Sequence, residues 1–355
     1  MGQYLEIFLN DKIYSQRTPN SKFIEFDLNG VKLKTYEELP LDIKKIVNKM
    51  IDMEQHPDLY FEYEEYSEGI VIKEILDETL KHIRIPEMIN NIPVTGIGHM
   101  MMPTFSEIEQ IHLPDTIKYL GAAAFSEAIN LKYINLPESI TSIPERCFYN
   151  CLNLLNIDLS NITEIGTEAF ENCNSLIDVN LPNVSSLGFS TFLNCKKLKT
   201  VTIGNKLKSI YGENFKGCDE LETINLSNLI EEIGRSAFED CVKLKDINLP
   251  ESLKAIESSA FYNCTSLKEI SIPKDVQLLG NLSFANSGLE KIIINNNIET
   301  AFISAFHNCN KLQEIQIMND SCNIEKMFRK LIREKIRIID KNGKQLNSPI
   351  SIEER

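Results

Sequence analysis

The sequence predicts an α/β repeat solenoid, and three observations lead to this fold class. A block of apolar and small residues, clearest from Ile233 to Pro250, recurs in the order Ile-Gly-x-x-Ala-Phe-x-x-Cys-x-x-Leu-x-x-Ile-x-Leu-Pro. Met102 holds the Phe position of a degenerate first copy, and the 204 residues from Met102 to Phe306 span nine intervals of about 22.7 residues. Neither a 3.6-residue period nor strict alternation describes the whole block, so it is neither one helix nor one strand. A fixed period of this size is typical of supersecondary units that bury their apolar faces by stacking.

Each repeat is predicted to contribute one short strand. In the clearest copy, Leu244, Ile247 and Leu249 point inward, while Asp246 and Asn248 alternate with them and point outward. Strands of successive repeats are expected to pair in parallel, about 4.8 Å apart. The outward positions therefore form rows across a sheet.

The other half of the repeat is predicted to be a tight connection. Gly234 allows a sharp corner, and the residues after it suffice for one helical or 3₁₀ turn. Ala237, Phe238 and Cys241 would face the core from this turn. The Cys position recurs in seven copies, at Cys151, Cys173, Cys195, Cys218, Cys241, Cys264 and Cys309.

The recurring block resembles the BspA-type leucine-rich repeat family of bacterial and protozoan proteins, over about residues 80–318. The resemblance implies a leucine-rich repeat solenoid with a parallel β-sheet. It also implies a surface that binds varied partners and no shared active site. Relatives with such repeats are often exposed on the cell surface or secreted.

Four regions are expected along the chain. Residues 1–57 form a small α+β module, and residues 58–96 form an N-terminal cap with the first solenoid strand. Residues 97–318 form a solenoid of ten units, and residues 319–355 form a C-terminal cap. Caps are needed because the ends of a solenoid expose unpaired strand edges and apolar core.

The cap regions carry their own signals. Residues 3–9 and 22–35 alternate as strands, with a hairpin turn at Asn29 and Gly30. A strand pair is predicted at residues 60–66 and 70–75, and a helix near residues 324–331 precedes a closing strand or hairpin near Ile338. A helix starting near Pro40 is expected to bury one face. That face comprises Ile43, Ile46, Val47, Met50 and Ile51.

Charge and hydropathy restrict the partners. The net charge is −14, and no single element carries a Lys/Arg cluster, which argues against nucleic acid and anionic membranes. No apolar run reaches the roughly 18 residues that a membrane-spanning helix needs. The N-terminus has no basic segment before an apolar run, so a cytoplasmic location is expected as the chain stands. A surface or secreted location is the alternative that the family resemblance suggests.

Of the nine cysteines, the seven at the repeat position and Cys147 are expected to be buried thiols without disulfides, whereas Cys322 lies outside this set and is the candidate for an exposed thiol. Cysteines at one repeat position lie a strand spacing apart and point the same way, which does not match disulfide geometry. No Cys-x-x-Cys pair or accompanying His indicates zinc. No cofactor or metal is predicted.

The sequence offers no catalytic constellation. The five histidines are scattered, and no nucleophile elbow, phosphate-binding loop or His-Glu-x-x-His motif occurs. The chain is therefore predicted to be a non-enzymatic protein-interaction scaffold. The alternatives are a surface or secreted adhesin that binds host protein or glycan, and a structural spacer whose function lies in the N-terminal module.

The outward strand rows are the candidate binding surface. They are polar, mildly acidic and nearly free of lysine, and they suit either a solvated face or a surface for a protein or glycan partner. Tyr133, Lys291 and Ile293 depart from this chemistry and are the predicted hot spots. The first outward positions, Gln110 and His112, belong to the same rows. The candidate face comprises Tyr133, Asn135, Asn156, Asp158, Asp178, Asn180, Thr200, Thr202, Asn225, Asp246, Asn248, Glu269, Lys291, Ile293 and Glu314.

Overall fold

The computed structural model divides into two compact units, Met1–Asn161 and Ile162–Arg355. Stacked coils with parallel strands form a solenoid of about ten turns. The predicted repeat fold is thereby confirmed. The structure describes residues 5–9, 12–16, 23–27, 30–77, 79–99, 107–295, 300–301, 304–318 and 336–346.

Unit 1 begins with a four-stranded antiparallel sheet in which each strand pairs with the next. The predicted hairpin is present, but Gly30 pairs with Asp27 and begins the fourth strand, so its predicted place in the turn is wrong. The second strand was not predicted, because its own alternation is weak and it is held by pairing on both edges. The strands are β1 Leu5–Leu9, β2 Lys12–Gln16, β3 Phe23–Asp27 and β4 Gly30–Lys34.

Helix α1 (Leu41–Gln55) follows Pro40, as predicted. It buries Ile43, Val47 and Met50 together with Met53. The expected inward position of Ile51 is wrong, because this side chain is 42% exposed. Successive helical residues point about 100° apart, so Ile51 points away from the face that Met50 buries. Met53, three residues after Met50, lies on that face and is buried instead. Two 3₁₀ helices flank α1, at Tyr36–Glu38 and Pro57–Leu59.

The predicted strand pair after the helix is confirmed as an antiparallel hairpin of β5 (Phe61–Tyr66) and β6 (Gly69–Ile75). A second hairpin joins β8 (Met88–Ile89) to β9 (Ile92–Ile97). Its turn residues Asn90 and Asn91 both have positive φ, of 52° and 62°, as a tight two-residue hairpin requires. Since β6 pairs in parallel with β9, the first hairpin extends a sheet of the solenoid.

The predicted strands of most repeats form parallel sheets, here together called the main sheet. Residues 155–159 contain no strand, and in residues 245–249 only an isolated bridge joins Asp246 to Thr223. In unit 1 the strands of the main sheet are β7 His82–Arg84, β10 Gln110–His112 and β12 Tyr133–Ile134. In unit 2 one group is β15 Asp178–Leu181, β17 Thr200–Ile203 and β19 Thr223–Asn225. The other group is β22 Glu269–Ile272, β24 Lys291–Ile294, β26 Glu314–Ile317 and β27 Arg337–Asp340.

A second parallel sheet, built from two-residue strands just before the Gly corner, was not predicted. Two residues are too few for alternation to be detected, and the pairing partners lie a whole repeat away. In unit 1 its short strands are β11 Tyr119–Leu120 and β13 Ser142–Ile143. In unit 2 they are β14 Glu164–Ile165, β16 Ser186–Leu187, β18 Ser209–Ile210, β20 Glu232–Ile233, β21 Ala255–Ile256, β23 Leu278–Leu279 and β25 Thr300–Ala301.

The connection between the Gly corner and the Cys position is a chain of tight turns. Ala237 donates its amide to Gly234 O three residues back, at 3.2 Å, whereas the amide of Phe238 bonds to Ala260 O of the next repeat, at 2.8 Å. Ser236, which precedes Ala237, and Asp240, which precedes Cys241, have positive φ angles of 54° and 63°. Left-handed residues interrupt a continuous helix, so the backbone groups alternate between local and inter-repeat hydrogen bonds.

The core of each described coil contains one Phe and usually one Cys. Phe238 stacks between Phe215 and Phe261, with ring centroids 5.5 and 5.3 Å away. The thiol of Cys241 donates a hydrogen bond to Phe215 O, at 3.1 Å. All eight described cysteines are free and buried, as expected. Equivalent thiol bonds recur at Cys151, Cys195, Cys218, Cys264 and Cys309.

The predicted closing strand of the C-terminal region is β27, which extends the main sheet of unit 2 in parallel. A turn with Gly343 at φ 80° follows it. The predicted helix near residues 324–331, the degenerate copy at Met102, the ninth cysteine Cys322 and Asn29 lie outside the described residues.

Candidate partner-binding face

The candidate face holds exposed polar side chains on the main sheet of both units. Four of its members, Tyr133, Lys291, Ile293 and Glu314, are half-buried, and the others are exposed. The inward positions between them are apolar, as alternation along a strand requires, and all are buried except the half-buried Ile157. The inside and outside assignments therefore hold for these fifteen residues, while their role stays a prediction.

The first part of the main sheet in unit 1 is covered. Arg84, on β7, donates to Glu54 of α1 with a 2.8 Å separation between Nε and Oε1. Strand β1 also lies against β10. Gln110 and His112 are only 4% and 9% exposed, so their predicted place on an open face is wrong. The sequence could not show that the N-terminal module packs over these outward positions.

This covering changes the chemistry of His112. Burial, and then the positive charge of Arg84, lower its pKa to about 4. Burial also lowers the pKa of His82. Both imidazoles are neutral at physiological pH, which suits packed positions rather than a general base poised near neutrality.

Two of the unit 1 candidates make hydrogen bonds to the backbone. The Asn135 side chain donates to Leu113 O and accepts from Leu113 N, both at 2.8 Å. Asp158 accepts from the amide of Ser160 at 2.9 Å. Asn135 therefore links its coil to the preceding one, and Asp158 stabilises the backbone that follows it, although both side chains are exposed.

The middle of the main sheet in unit 2 is open. Thr200 donates its hydroxyl to Asp178. For the other members here, no side-chain hydrogen bond or ion pair is found among the described residues. This free group consists of Asn180, Thr202, Asn225, Asp246, Asn248 and Glu269.

The last candidates of unit 2 are tied to neighbours. Lys291 lies 3.5 Å from Glu314, which also pairs with Arg337. Ile293 is in register with Gln316 and Ile339, and Ile339 is buried. This end of the sheet is therefore less available than the middle.

The structure also places an exposed aromatic pair that the sequence analysis missed. Phe189 and Tyr211 are 60% and 42% exposed, with ring centroids 5.7 Å apart. Tyr211 occupies the position of the repeat that is usually Gly, and Phe189 occupies the next position one repeat earlier. Their departure from the repeat pattern was the available signal.

The described residues bring no catalytic group together. No cluster of three or more His, Cys, Asp or Glu among them is arranged to hold a metal ion. Burial raises the pKa of the Cys151, Cys218 and Cys241 thiols well above the ordinary value, which opposes thiolate chemistry. In the described part of the chain, no helix has the length and apolar content to cross a bilayer.

Solved structures show the same fold. A leucine-rich repeat protein from Bacteroides ovatus is 24% identical, with a TM-score of 0.69 over 79% of this chain and 75% of the other. A leucine-rich repeat protein from T. pallidum is 27% identical, with a TM-score of 0.50 over 53% of this chain and 89% of the other. No curated protein matches the chain.

A family model gives the assignment. The model of the BspA type leucine rich repeat region matches residues 95–222 and 208–331, which together exceed half of the chain. The matched residues contain the repeats described above, with their apolar strand, Gly corner and Phe-Cys core. The chain belongs to the BspA-type leucine-rich repeat family.

Proposed function

We propose that the chain is a non-catalytic protein-interaction scaffold and that the open middle of the main sheet in unit 2 contacts the partner. The observation that carries this proposal is the row of exposed, unpaired polar side chains that includes Thr202, Asn225, Asp246 and Asn248. Solenoids commonly bind through such extended faces. Thr202 and Asn225 stand on strands, Asp246 continues their row through a bridge to Thr223, and the apolar residues between the outward positions are buried.

Unpaired groups favour binding over a purely structural role. Asn135 in unit 1 bonds to backbone at 2.8 Å, whereas Asn225 and Asn248 make no comparable bond in the described structure. Polar groups free of internal partners can bond to a ligand without first breaking a protein contact. The same geometry accommodates a protein surface or a polar glycan, and the protein is proposed because leucine-rich repeats are generally protein-binding.

Affinity capture with matched variants tests the proposal. The face variant combines Asn225→Ala, Asp246→Lys and Asn248→Ala. The control combines Glu164→Lys, Ser185→Ala and Ser186→Ala, which changes charge equally at exposed positions near the second sheet. Both baits are exposed to source lysate and to host material, because the family is often surface-exposed or secreted.

We expect the parent and the control to capture a protein that the face variant loses, and the purified partner to reproduce this difference in direct titration. Retention by the face variant would contradict the proposed surface and direct attention to residues 1–80 or the C-terminal cap. A carbohydrate array read with the same variants separates a glycan partner from a protein.

A further inference from the structure

One coil of unit 2 is cationic in an otherwise acidic protein. Residues 190–212 contain five lysines and no Asp or Glu, although the whole chain has a net charge of −14. All five lysines are exposed. They lie in the connections before and after strand β17, so no single element carries a lysine cluster.

Three of these lysines begin rows that run Lys–Glu–Lys across three consecutive coils. The strand registers Thr200–Thr223–Asp246 and Ser209–Glu232–Ala255 place the members of each row side by side. The rows are Lys197–Glu220–Lys243, Lys199–Glu222–Lys245 and Lys208–Glu231–Lys254.

In every row the glutamate is bound to the third residue. Lys243, Lys245 and Lys254 donate to the central glutamates with Nζ to Oε2 distances of 2.6, 2.8 and 2.6 Å. The pKa of Glu222 is lowered first by its hydrogen bond from Lys245, and the charge of Lys199 contributes least. The first lysine of each row therefore has a neighbouring carboxylate that is already engaged.

At the positions in register with the three lysines, the preceding coil carries no acidic side chain. The positions one repeat before the three lysines are Ser175, Ile177 and Ser185. Ile177 is 42% exposed and lies beside Lys199, because Asp178 pairs with Thr200. Each row thus ends in a cation whose own row neighbour is neutral or apolar. Asp178, one residue after Ile177, accepts a hydrogen bond from Thr200.

We propose that Lys197, Lys199 and Lys208 anchor an acidic segment of a protein partner across this coil. The inference rests on the proposed binding function and adds the chemistry of the partner. Lys199 precedes strand β17 and Lys208 follows it, so the cations frame the outward residues Thr200 and Thr202. Charge pairs of this kind mainly set specificity and association rate.

An acidic protein segment suits the site better than a continuous polyanion. The backbone positions of Glu220, Glu222 and Glu231 lie only about one strand spacing, roughly 4.8 Å, from those of the surplus lysines. A nucleic acid, with a charge every few ångströms, would meet these carboxylates. A peptide can place separate carboxylates on the three lysines and an apolar side chain on Ile177.

Fluorescence anisotropy with a labelled twelve-residue Glu/Leu peptide, and its Gln/Leu counterpart, provides the test. Lys197→Gln, Lys199→Gln and Lys208→Gln are combined in one variant. The matched control combines Lys268→Gln, Lys274→Gln and Lys311→Gln, which removes the same charge from exposed positions in later coils. A third protein combines Glu220→Gln, Glu222→Gln and Glu231→Gln, which raises the positive surplus of the rows.

We expect the Glu/Leu peptide to bind the parent. Its affinity should fall by about tenfold or more for the variant that lacks Lys197, Lys199 and Lys208, and it should rise for the third protein, in which the three glutamates are replaced by glutamine. A gain in affinity by this third protein cannot arise from misfolding, because misfolding would weaken binding. Equal weakening of the matched control, or no preference over the Gln/Leu peptide, would overturn the proposal. Stronger lysine-dependent binding of heparin or a single-stranded oligonucleotide would also overturn it.

The two proposals fail separately. If a captured partner is lost by the face variant but retained by the Lys197/Lys199/Lys208 variant, the binding face stands and the acidic anchor is wrong. If the lysine variant loses the Glu/Leu peptide while the face variant keeps its captured partner, the anchor stands and the face is wrong.

Discussion

Phe238 shows what one residue contributes to each coil. Its ring is fully buried and stacks on Phe215 and Phe261, so it contacts the coils on both sides. Cys241 completes the same layer, because its thiol bonds to Phe215 O. A residue of the repeat therefore stabilises contacts between coils as well as its own turn.

Phe238→Ala is expected to lower the free energy of unfolding by about 3–5 kcal/mol, since it removes a large core side chain without a replacement. Asn248→Ala, at an exposed outward position of the next strand segment, should change it little. Urea unfolding followed by circular dichroism measures both. A larger effect of the asparagine substitution would contradict the assigned interior.

The element that most changes the candidate site is helix α1. It faces β7 and ties Arg84 to Glu54 at 2.8 Å, while the neighbouring strand β10 carries buried Gln110 and His112. The groups that surround these positions include Arg84, Glu54 and His82. Part of the main sheet in unit 1 is thereby converted from a surface into an interface.

This interface is expected to be sensitive to acid. The pKa of His112 falls from 6.5 in the unfolded chain to about 4 when folded. Between these values the unfolded state binds more protons, so stability is fully present above about pH 6.5 and declines as the pH falls toward 4. The difference corresponds to about 3 kcal/mol.

Urea unfolding of the parent and of His112→Gln between pH 4 and 7 measures the effect. The variant should show a flatter profile, whereas Asn248→Ala, which removes no titratable group from an exposed position, should keep the parent slope. His82 contributes in the same direction, because its pKa is also lowered by burial. Identical slopes for the parent and His112→Gln would contradict the burial of His112.

At the scale of the whole molecule, buried thiols occur in coils of both units. The eight described cysteines are buried, and burial raises the pKa of Cys147 and Cys264. Because reactivity needs an exposed thiolate, each thiol reports whether its coil has opened. The cysteines therefore serve as internal probes of folding.

Ellman's reagent at about pH 8 is expected to label none of these eight thiols in the native protein and all eight in concentrated guanidinium. Cys322 is replaced by serine for this experiment, since it lies outside the described residues. A Thr202→Cys version supplies an exposed thiol as a positive control. Rapid native labelling of Cys241 or its equivalents would show that the core is not closed.

The sequence alone determined the repeat and its interior. A Phe, a Cys and an alternating Leu-x-x-Ile-x-Leu segment recur because every coil must fill the same space, so Phe238 and Ile247 could be assigned inward from spacing. The exposed positions of Asn225 and Asp246 followed from the same alternation.

Only the tertiary structure decided what lies over the sheet and which charges remain unpaired. His112 has an outward position by alternation, but packing by the N-terminal module buries it. Lys199 and Lys245 are equivalent in the repeat, yet Glu222 bonds to Lys245. Local spacing specifies the direction of a side chain, whereas burial and pairing depend on residues that are distant in sequence and adjacent in space.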